Sequence, residues 1–270
     1  ARVARLVIEL PHGLVARADL FHPASPSDNV VLYHHGHRGG HRTDRGIQSL
    51  APLLEAGHRV LAFSMPGLGP NTWPDGFETP NAGPLSNRHF HNSLKYLETA
   101  DFHPLMLFLH PVIVGLNHLE ATLAPRRIGM VGISGGGWTT TLIAALDTRV
   151  SRSYPVAGTL PLYLLDQPPN NVSEWEQAPP GLLNTANFLQ MYILGGAGAD
   201  RSQLQVLNQF DSCCFRGVGA RHYAPVVRDA VASLDSGRWD MLMLPVHGHY
   251  IADRAWERIL ADLRTGPGRR

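Results

Sequence analysis

The chain opens with alternation. Residues 2–10 and 14–22 each place apolar and polar side chains on opposite faces, and Pro11-His12-Gly13 lies between them, so the pattern predicts two strands joined as a hairpin. Val30-Val31-Leu32-Tyr33-His34 is a continuous apolar run of the kind buried on both faces of a parallel sheet. Residues 43–56 read as a helix stopped by Gly57, and residues 58–64 as the next strand. Residues 66–86 are rich in Pro, Gly and Asn without a clear period, which predicts a long surface loop. A helical region follows. Its most apolar part, residues 104–119, predicts a buried helix or two with a break at Pro111. Strand 127–133, helix 136–147 and a strand over 151–158 come next. Residues 160–187 interleave prolines with Tyr163 and Trp175 and read as an insertion forming a lid. The run 189–194 reads as a strand ending in Gly195-Gly196. A helix at 220–235, a strand over 239–245 and a last helix over 254–263 complete the pattern.

Strands alternating with helices predict an α/β fold, a doubly wound and mostly parallel sheet of about eight strands. No interior linker divides the chain, so residues 1–270 read as a single domain with the 160–187 lid inside it.

Composition narrows the function classes. Of the residues, 44% are hydrophobic and 17% charged, enough to build a core, and the formal net charge is +1. That balance gives no reason to expect nucleic acid or an anionic membrane as a partner. The apolar stretch 104–119 is shorter than the ~20 residues a membrane span needs. The first residues alternate like a strand rather than forming a signal peptide, and localisation leans cytoplasmic. The two cysteines, Cys213 and Cys214, are adjacent. They read mainly as small buried hydrophobes, with a vicinal redox or metal site as the alternative.

The chemistry centres on Gly132-Ile133-Ser134-Gly135-Gly136, set between a predicted strand and a predicted helix. A G-x-S-x-G in that context is a nucleophile elbow, a turn so tight that only small neighbours fit beside a strained serine. Gly135, at the helix N-terminus, is placed to offer its N–H to an oxyanion.

With these residues in view the chain resembles serine hydrolases of the α/β-hydrolase superfamily, over about residues 14–263. Four features carry the resemblance: the elbow around Ser134; the segment Leu32-Tyr33-His34-His35-Gly36-His37, similar to that family's His-Gly oxyanion segment; an acidic residue after the strand read at 189–194; and His247-Gly248-His249-Tyr250 after the last strand. Esterases and prolyl-oligopeptidase-like members are the most similar branch. The resemblance implies the α/β-hydrolase fold and a triad in the chain order Ser, Asp, His.

A serine hydroxyl needs a base, a group that orients the base, and donors for the oxyanion. Ser134 reads as the nucleophile and His249 as the base, with His247 as its alternative. For the acid, standard placement favours Asp200, whereas the aromatic, thiol-lined setting of Asp211 implies a buried carboxylate in need of a partner. The reading leans to Asp211. Gly135 and His37 supply the oxyanion N–H groups. Trp73, Phe77, Tyr163, Trp175 and Tyr250 are candidates for lining a partly apolar substrate pocket. Arg201 and Arg216 flank the acid candidates and read as structural. His34, His35, His37 and His41 invite a metal reading, but no matching ligand cluster with recognisable spacing accompanies them, so neither metal nor cofactor is expected.

The expected function is hydrolysis of a small, partly apolar ester through an acyl-enzyme. A peptidase, amidase or acyltransferase would use the same triad. A non-catalytic binding protein on the same fold is the rival from a different class.

Overall fold

The computed structural model describes residues 2–73, 76–85, 90–168, 170–172, 174–234 and 236–265. An eight-stranded sheet runs through it. β1 (Arg2–Glu9) and β2 (Val15–His22) form the expected hairpin, followed by β3 (Asn29–His34) and β4 (Arg59–Phe63). A small separate hairpin, β5 (Phe77–Thr79) with β6 (Gly83–Leu85), sits within the stretch that reads as a plain loop in the sequence. β7 (Arg127–Ile133), β8 (Val150–Val156), β9 (Ser202–Asn208) and β10 (Arg238–Leu244) complete the main sheet, whose order is β1-β2-β4-β3-β7-β8-β9-β10. The β1–β2 and β2–β4 pairs are antiparallel, and all later pairs are parallel.

Helices α1 (Asp44–Glu55), α2 (Phe90–Ser93), α3 (Met106–Leu123), α4 (Gly135–Leu146), α5 (Leu162–Leu165), α6 (Pro180–Thr185), α7 (Phe188–Gly196), α8 (Ala220–Ala232) and α9 (Asp253–Arg264) connect the strands. The strand period divides the core in two. Val31 and Tyr33 point into one cluster with Leu50 and Leu53 of α1, while Val30 and Leu32 point into another with Val112, Leu116 and Leu119 of α3. The N-terminus of α1 is set by Thr43, whose side chain accepts from the Gly46 N–H, and Gly57 at φ +83° turns the chain away after it.

Two sequence readings are corrected. Pro111 does not break its helix, because α3 runs through it. The lost backbone bond and ring clash cost about 3 kcal/mol. The four buried side chains Phe108, Val112, Leu116 and Leu119 each contribute about 1.5–3 kcal/mol, which outweighs that cost. The run 189–194 is not a strand but the body of α7. Asn187 accepts from the Gln190 N–H at 3.1 Å, and the Gln190 side chain accepts from the Asn187 N–H at 2.9 Å, a reciprocal cap that starts a helix. Burial then falls on Phe188, Met191, Tyr192 and Gly195, a helical period.

The strand that precedes Asp211 is β9, which the sequence pattern does not reveal. Its sequence is Ser-Gln-Leu-Gln-Val-Leu-Asn, and all seven residues are buried. Its two glutamines find partners inside the fold. Gln203 accepts from Trp239 Nε1 at 3.1 Å and donates to Ser153 Oγ at 3.2 Å, while Gln205 accepts from Tyr223 OH at 2.8 Å. Satisfied this way, amides sit in the centre of a sheet at little cost.

Candidate active site

β4 lies on one side of β3 and β7 on the other, so the loops leaving the C-terminal ends of β3 and β7 diverge and leave a crevice between them. In open α/β sheets this is where ligands bind. Ser134 occupies the β7 side of the crevice, at φ 59° and ψ −125°, between the end of the strand and the first residue of α4. Its own N–H reaches Val156 O at 2.9 Å and its carbonyl receives the Trp138 N–H at 2.9 Å, which pins the strained turn from both sides. A side chain at Gly132 would put its Cβ 2.1 Å from the Gly136 carbonyl oxygen. Across the crevice, a Cβ on Gly36 would lie 2.7 Å from both Ser134 Cβ and Ile133 O. The two loops touch because both positions are bare.

Asp211 follows the end of β9 by three residues and is 1% exposed. Its Oδ1 accepts the backbone N–H groups of Cys213 and Cys214 at 2.8 and 3.1 Å. His249 Nδ1 lies 2.9 Å from Oδ2 and 3.0 Å from Oδ1. The carboxylate only accepts, so Nδ1 carries the proton and Nε2 presents its lone pair. That Nε2 is buried with no hydrogen-bond partner among the described residues. Two further side chains hold the histidine's loop. Asn208 Nδ2 donates to the carbonyls of Gly248 and Tyr250, each at 2.9 Å, and Arg45 Nη2 donates to His249 O at 2.8 Å. The sequence reading missed Asn208 because it ends a strand that the polar pattern concealed.

Ser134, His249, His37, Cys213, Cys214 and Tyr250 share one cavity of about 270 Å³, with Arg38, Arg45 and Glu174 on its walls. The N–H groups of Gly135 and His37 make no hydrogen bond among the described residues, and the His37 ring packs so closely on Gly135 that a Cβ there would be 2.5 Å from His37 Cε1. No hydrogen bond joins Ser134 Oγ to His249 among the described residues.

Behind His37 lies a buried carboxylate. Glu176, 0% exposed, stands 2.6 Å through Oε1 from His37 Nε2 and 3.4 Å from His91 Nδ1. Burial alone would raise the Glu176 pKa, but hydrogen bonds from His37 and His91 outweigh it and draw the carboxyl down to about 2. For His91 burial acts to lower the pKa, and the hydrogen bond and charge of Glu176 reverse this and raise it.

No protein-family model matches the chain, and no curated protein matches it. Solved structures do match at the level of architecture. The Pyrococcus furiosus esterase Pf2001 superposes with a TM-score of 0.62 at 13% identity, over 99% of this chain and 94% of its own. Est1E from Butyrivibrio proteoclasticus gives 0.60 at 14% identity, over 96% and 97%. The methylesterase BT1017 gives 0.65 at 19% identity, over 96% of this chain and 53% of its own. This chain has the α/β-hydrolase fold.

On that α/β-hydrolase scaffold the remaining candidates separate. Asp200 sits in the turn before β9 at φ +58°, where its carbonyl accepts from Arg152, and it does not line the Ser134 cavity. Once 189–194 is a helix, the strand that placed Asp200 near the acid position is gone. His247 is exposed and stacks on Phe210 with ring centroids 4.7 Å apart, away from the cavity. Of the five pocket candidates, Tyr250 alone lines the cavity. Trp73 is 5% exposed in the core and tilts against Phe77. Trp175 stacks on His103 at 5.8 Å. Tyr163 lines a different cavity, of about 510 Å³, beside Phe188 and Leu189. Their aromatic character reflects packing in the first two cases and a separate groove in the third. Arg201 is structural: its guanidinium donates to the carbonyls of Leu194, Ala197 and Ala144. Arg216 donates to Cys213 O at 3.3 Å. Cys213 and Cys214 are not buried thiols but a disulfide in the cavity wall. His34 and His35 are buried, and burial draws both below the usual imidazole range, His34 to about 3. His41 is 0% exposed.

Proposed function

We propose that this chain is a serine hydrolase that cleaves small carboxylic esters through an acyl-enzyme on Ser134. The observation that carries the reading is the buried Asp211 carboxylate on His249 Nδ1, with His249 Nε2 unpartnered in the cavity that holds Ser134. Ser134 Oγ attacks the ester carbonyl and its proton passes to His249 Nε2. Asp211 balances the imidazolium and fixes the tautomer. The tetrahedral oxyanion takes the N–H groups of Gly135 and His37. Collapse expels the alcohol, which receives the proton from Nε2, and water then cleaves the acyl-enzyme with His249 again as base. In the free enzyme the Ser–His contact is commonly long and tightens around substrate.

The cavity of about 270 Å³ lies at the lower edge of ligand-pocket volumes, which favours a short acyl or alkyl group. Segment 160–187 acts as the lid in this reading, since it brings Glu174 to the cavity wall and Glu176 to His37. The esterase names of the structural neighbours agree with ester chemistry. The test is intact-mass labelling with a fluorophosphonate, followed by peptide mapping and hydrolysis of short-chain esters. One adduct on Ser134, and a folded but inactive Ser134→Ala protein, are expected. Ester turnover surviving in folded Ser134→Ala would overturn the proposal.

A further inference from the structure

His37, His91 and Glu176 come from three separate segments: the loop after β3, α2, and the turn Trp175–Gln177 inside the 160–187 segment. No spacing rule brings them together; the fold does. We propose that they form a binding site for one divalent transition-metal ion of the zinc class, which ties the loop after β3 to the 160–187 segment.

The tautomers carry the argument. His91 Nε2 lies 2.9 Å from the Pro66 carbonyl, which only accepts, so Nε2 bears a proton. Nδ1 therefore faces Glu176 Oε1 at 3.4 Å either with the second proton of an imidazolium, the hydrogen bond described above, or with a lone pair that a metal ion can take. A carboxylate and an imidazole lone pair repel; a proton or a metal ion resolves the repulsion. The separation suits the metal, because an ion holding N and O ligands at about 2.0–2.2 Å in a tetrahedron places them about 3.4 Å apart. Glu176 supplies a second, independent sign. Its Oε2 is buried with no partner among the described residues, in a residue that is 0% exposed, so the carboxylate keeps an unused oxygen beside both rings. The 2.6 Å contact of His37 Nε2 with Oε1 is a proton bridge that a metal ion would replace, with an opening of under about 1 Å.

The ligand types select the ion. Two imidazoles and one carboxylate favour zinc over calcium or magnesium, and three protein ligands leave a fourth position for water. The Pro66 carbonyl behind His91 is the kind of outer partner that orients a ligating histidine. Access is through the Ser134 cavity, where the His37 side chain is 22% exposed while those of His91 and Glu176 are sealed.

The experiment uses the full chain, stripped with a chelator and titrated with Zn²⁺ by calorimetry, with elemental analysis of the reloaded protein and a visible spectrum of the Co²⁺ form. One equivalent should bind and raise the Tm. Glu176→Gln and His91→Asn should each weaken binding at least about 10–100-fold, with a cooperative melt retained, whereas a Cys213→Ser/Cys214→Ser protein should bind as wild type does. Ser134→Ala should also load normally, so failure of the esterase reading and failure of this one are distinguishable. No zinc uptake by wild type, or wild-type affinity in folded Glu176→Gln, overturns the site. Should either ligand variant fail to fold, the wild-type Co²⁺ spectrum decides. Imidazole–carboxylate ligation without a thiolate charge-transfer band supports the site, and a thiolate band moves the ion to Cys213 and Cys214 and overturns it.

Discussion

His249 Nδ1 stands 2.9 Å from Oδ2 of Asp211 and 3.0 Å from its Oδ1, and Oδ1 also receives two backbone N–H groups from the disulfide-bonded turn beyond it. The carboxylate is fully enclosed, yet three donors meet it, so its burial is compensated. The imidazole, 13% exposed, is held on one edge, while on the other Nε2 has no hydrogen-bond partner among the described residues. An Asp–His–Ser relay elsewhere in the molecule has both ring nitrogens engaged. His41 Nε2 lies 3.0 Å from Asp19 Oδ2 and His41 Nδ1 lies 2.8 Å from Ser64 Oγ, but His41 is 0% and Ser64 5% exposed. That relay is complete but sealed, whereas His249 shares a cavity with Ser134 and no hydrogen bond joins them among the described residues.

Asp211→Asn replaces an acceptor pair with an amide that can present N–H to Nδ1. The imidazole then places its proton on Nε2 and ceases to be a base toward Ser134. A fall of roughly 10⁴-fold in kcat is expected with the fold retained. Asp200→Asn should leave the rate near wild type, and its left-handed backbone suits Asn well. Ester kinetics on the two proteins side by side decide it. A severe loss in Asp200→Asn with normal turnover in Asp211→Asn would reverse the assignment.

Ser64→Ala probes the enclosed relay. Ser64 Oγ accepts the His41 backbone N–H at 3.0 Å and pairs with Nδ1, so its loss leaves two buried polar groups unsatisfied. A cost of about 1–3 kcal/mol in stability is expected, while fluorophosphonate labelling stays on Ser134. Asp19 anchors this network. Burial would raise its pKa, but hydrogen bonds from His41, Arg42 and Arg5 bring it well below the usual carboxylate range. Chemical denaturation and peptide mapping read the two effects separately, and a probe adduct on Ser64 would contradict the argument.

The fold was largely legible in the sequence, because buried parallel strands such as Val30–His34 and 127–133 are apolar throughout and the elbow glycines mark a turn that tolerates little else. What misled was chemistry resolved only by packing. β9 reads as polar because its amides are satisfied by Trp239, Ser153 and Tyr223, partners remote in sequence. α7 reads as a strand because the short, mostly apolar run 189–194 carries no decisive period, although Asn187 and Gln190 held the helix signal in their spacing. The lean toward Asp211 came from environment, and once β9 is recognised its position follows as well. Glu176 beside His37, 139 residues away in the chain, had no local signature at all.

Gly36→Ala tests the contact between the two loops. Its methyl group would press on Ser134 Cβ and Ile133 O, each 2.7 Å from an ideal Cβ, so the His35–His37 segment must move away from the elbow. Losing the His37 N–H as an oxyanion donor should cost about 100- to 1000-fold in kcat, against about 1–3 kcal/mol of overpacking in stability. Turnover and urea midpoints measured on the same preparation separate the two. Wild-type kcat in the variant would remove His37 from the oxyanion hole.

Stability should fall on the acid side through histidines that stay neutral in the fold. Burial pushes His34 down to about 3, and it also lowers His35 and His58. Below pH about 6.5 the unfolded chain takes up protons at these sites that the folded chain refuses. Their contribution is therefore fully present above pH about 6.5 and is lost as pH falls toward the folded values. Each buried neutral histidine costs up to about 1.4 kcal/mol per pH unit across that window. His58 isolates the effect, since both its ring nitrogens are buried without a partner among the described residues and it lies apart from the cavity. His58→Leu should stabilise the protein, and by more at pH 5 than at pH 7.5. Urea unfolding at the two pH values measures this directly. An equal gain at both would show that His58 titrates alike in the folded and unfolded chain, and would leave the acid loss to His34 and His35.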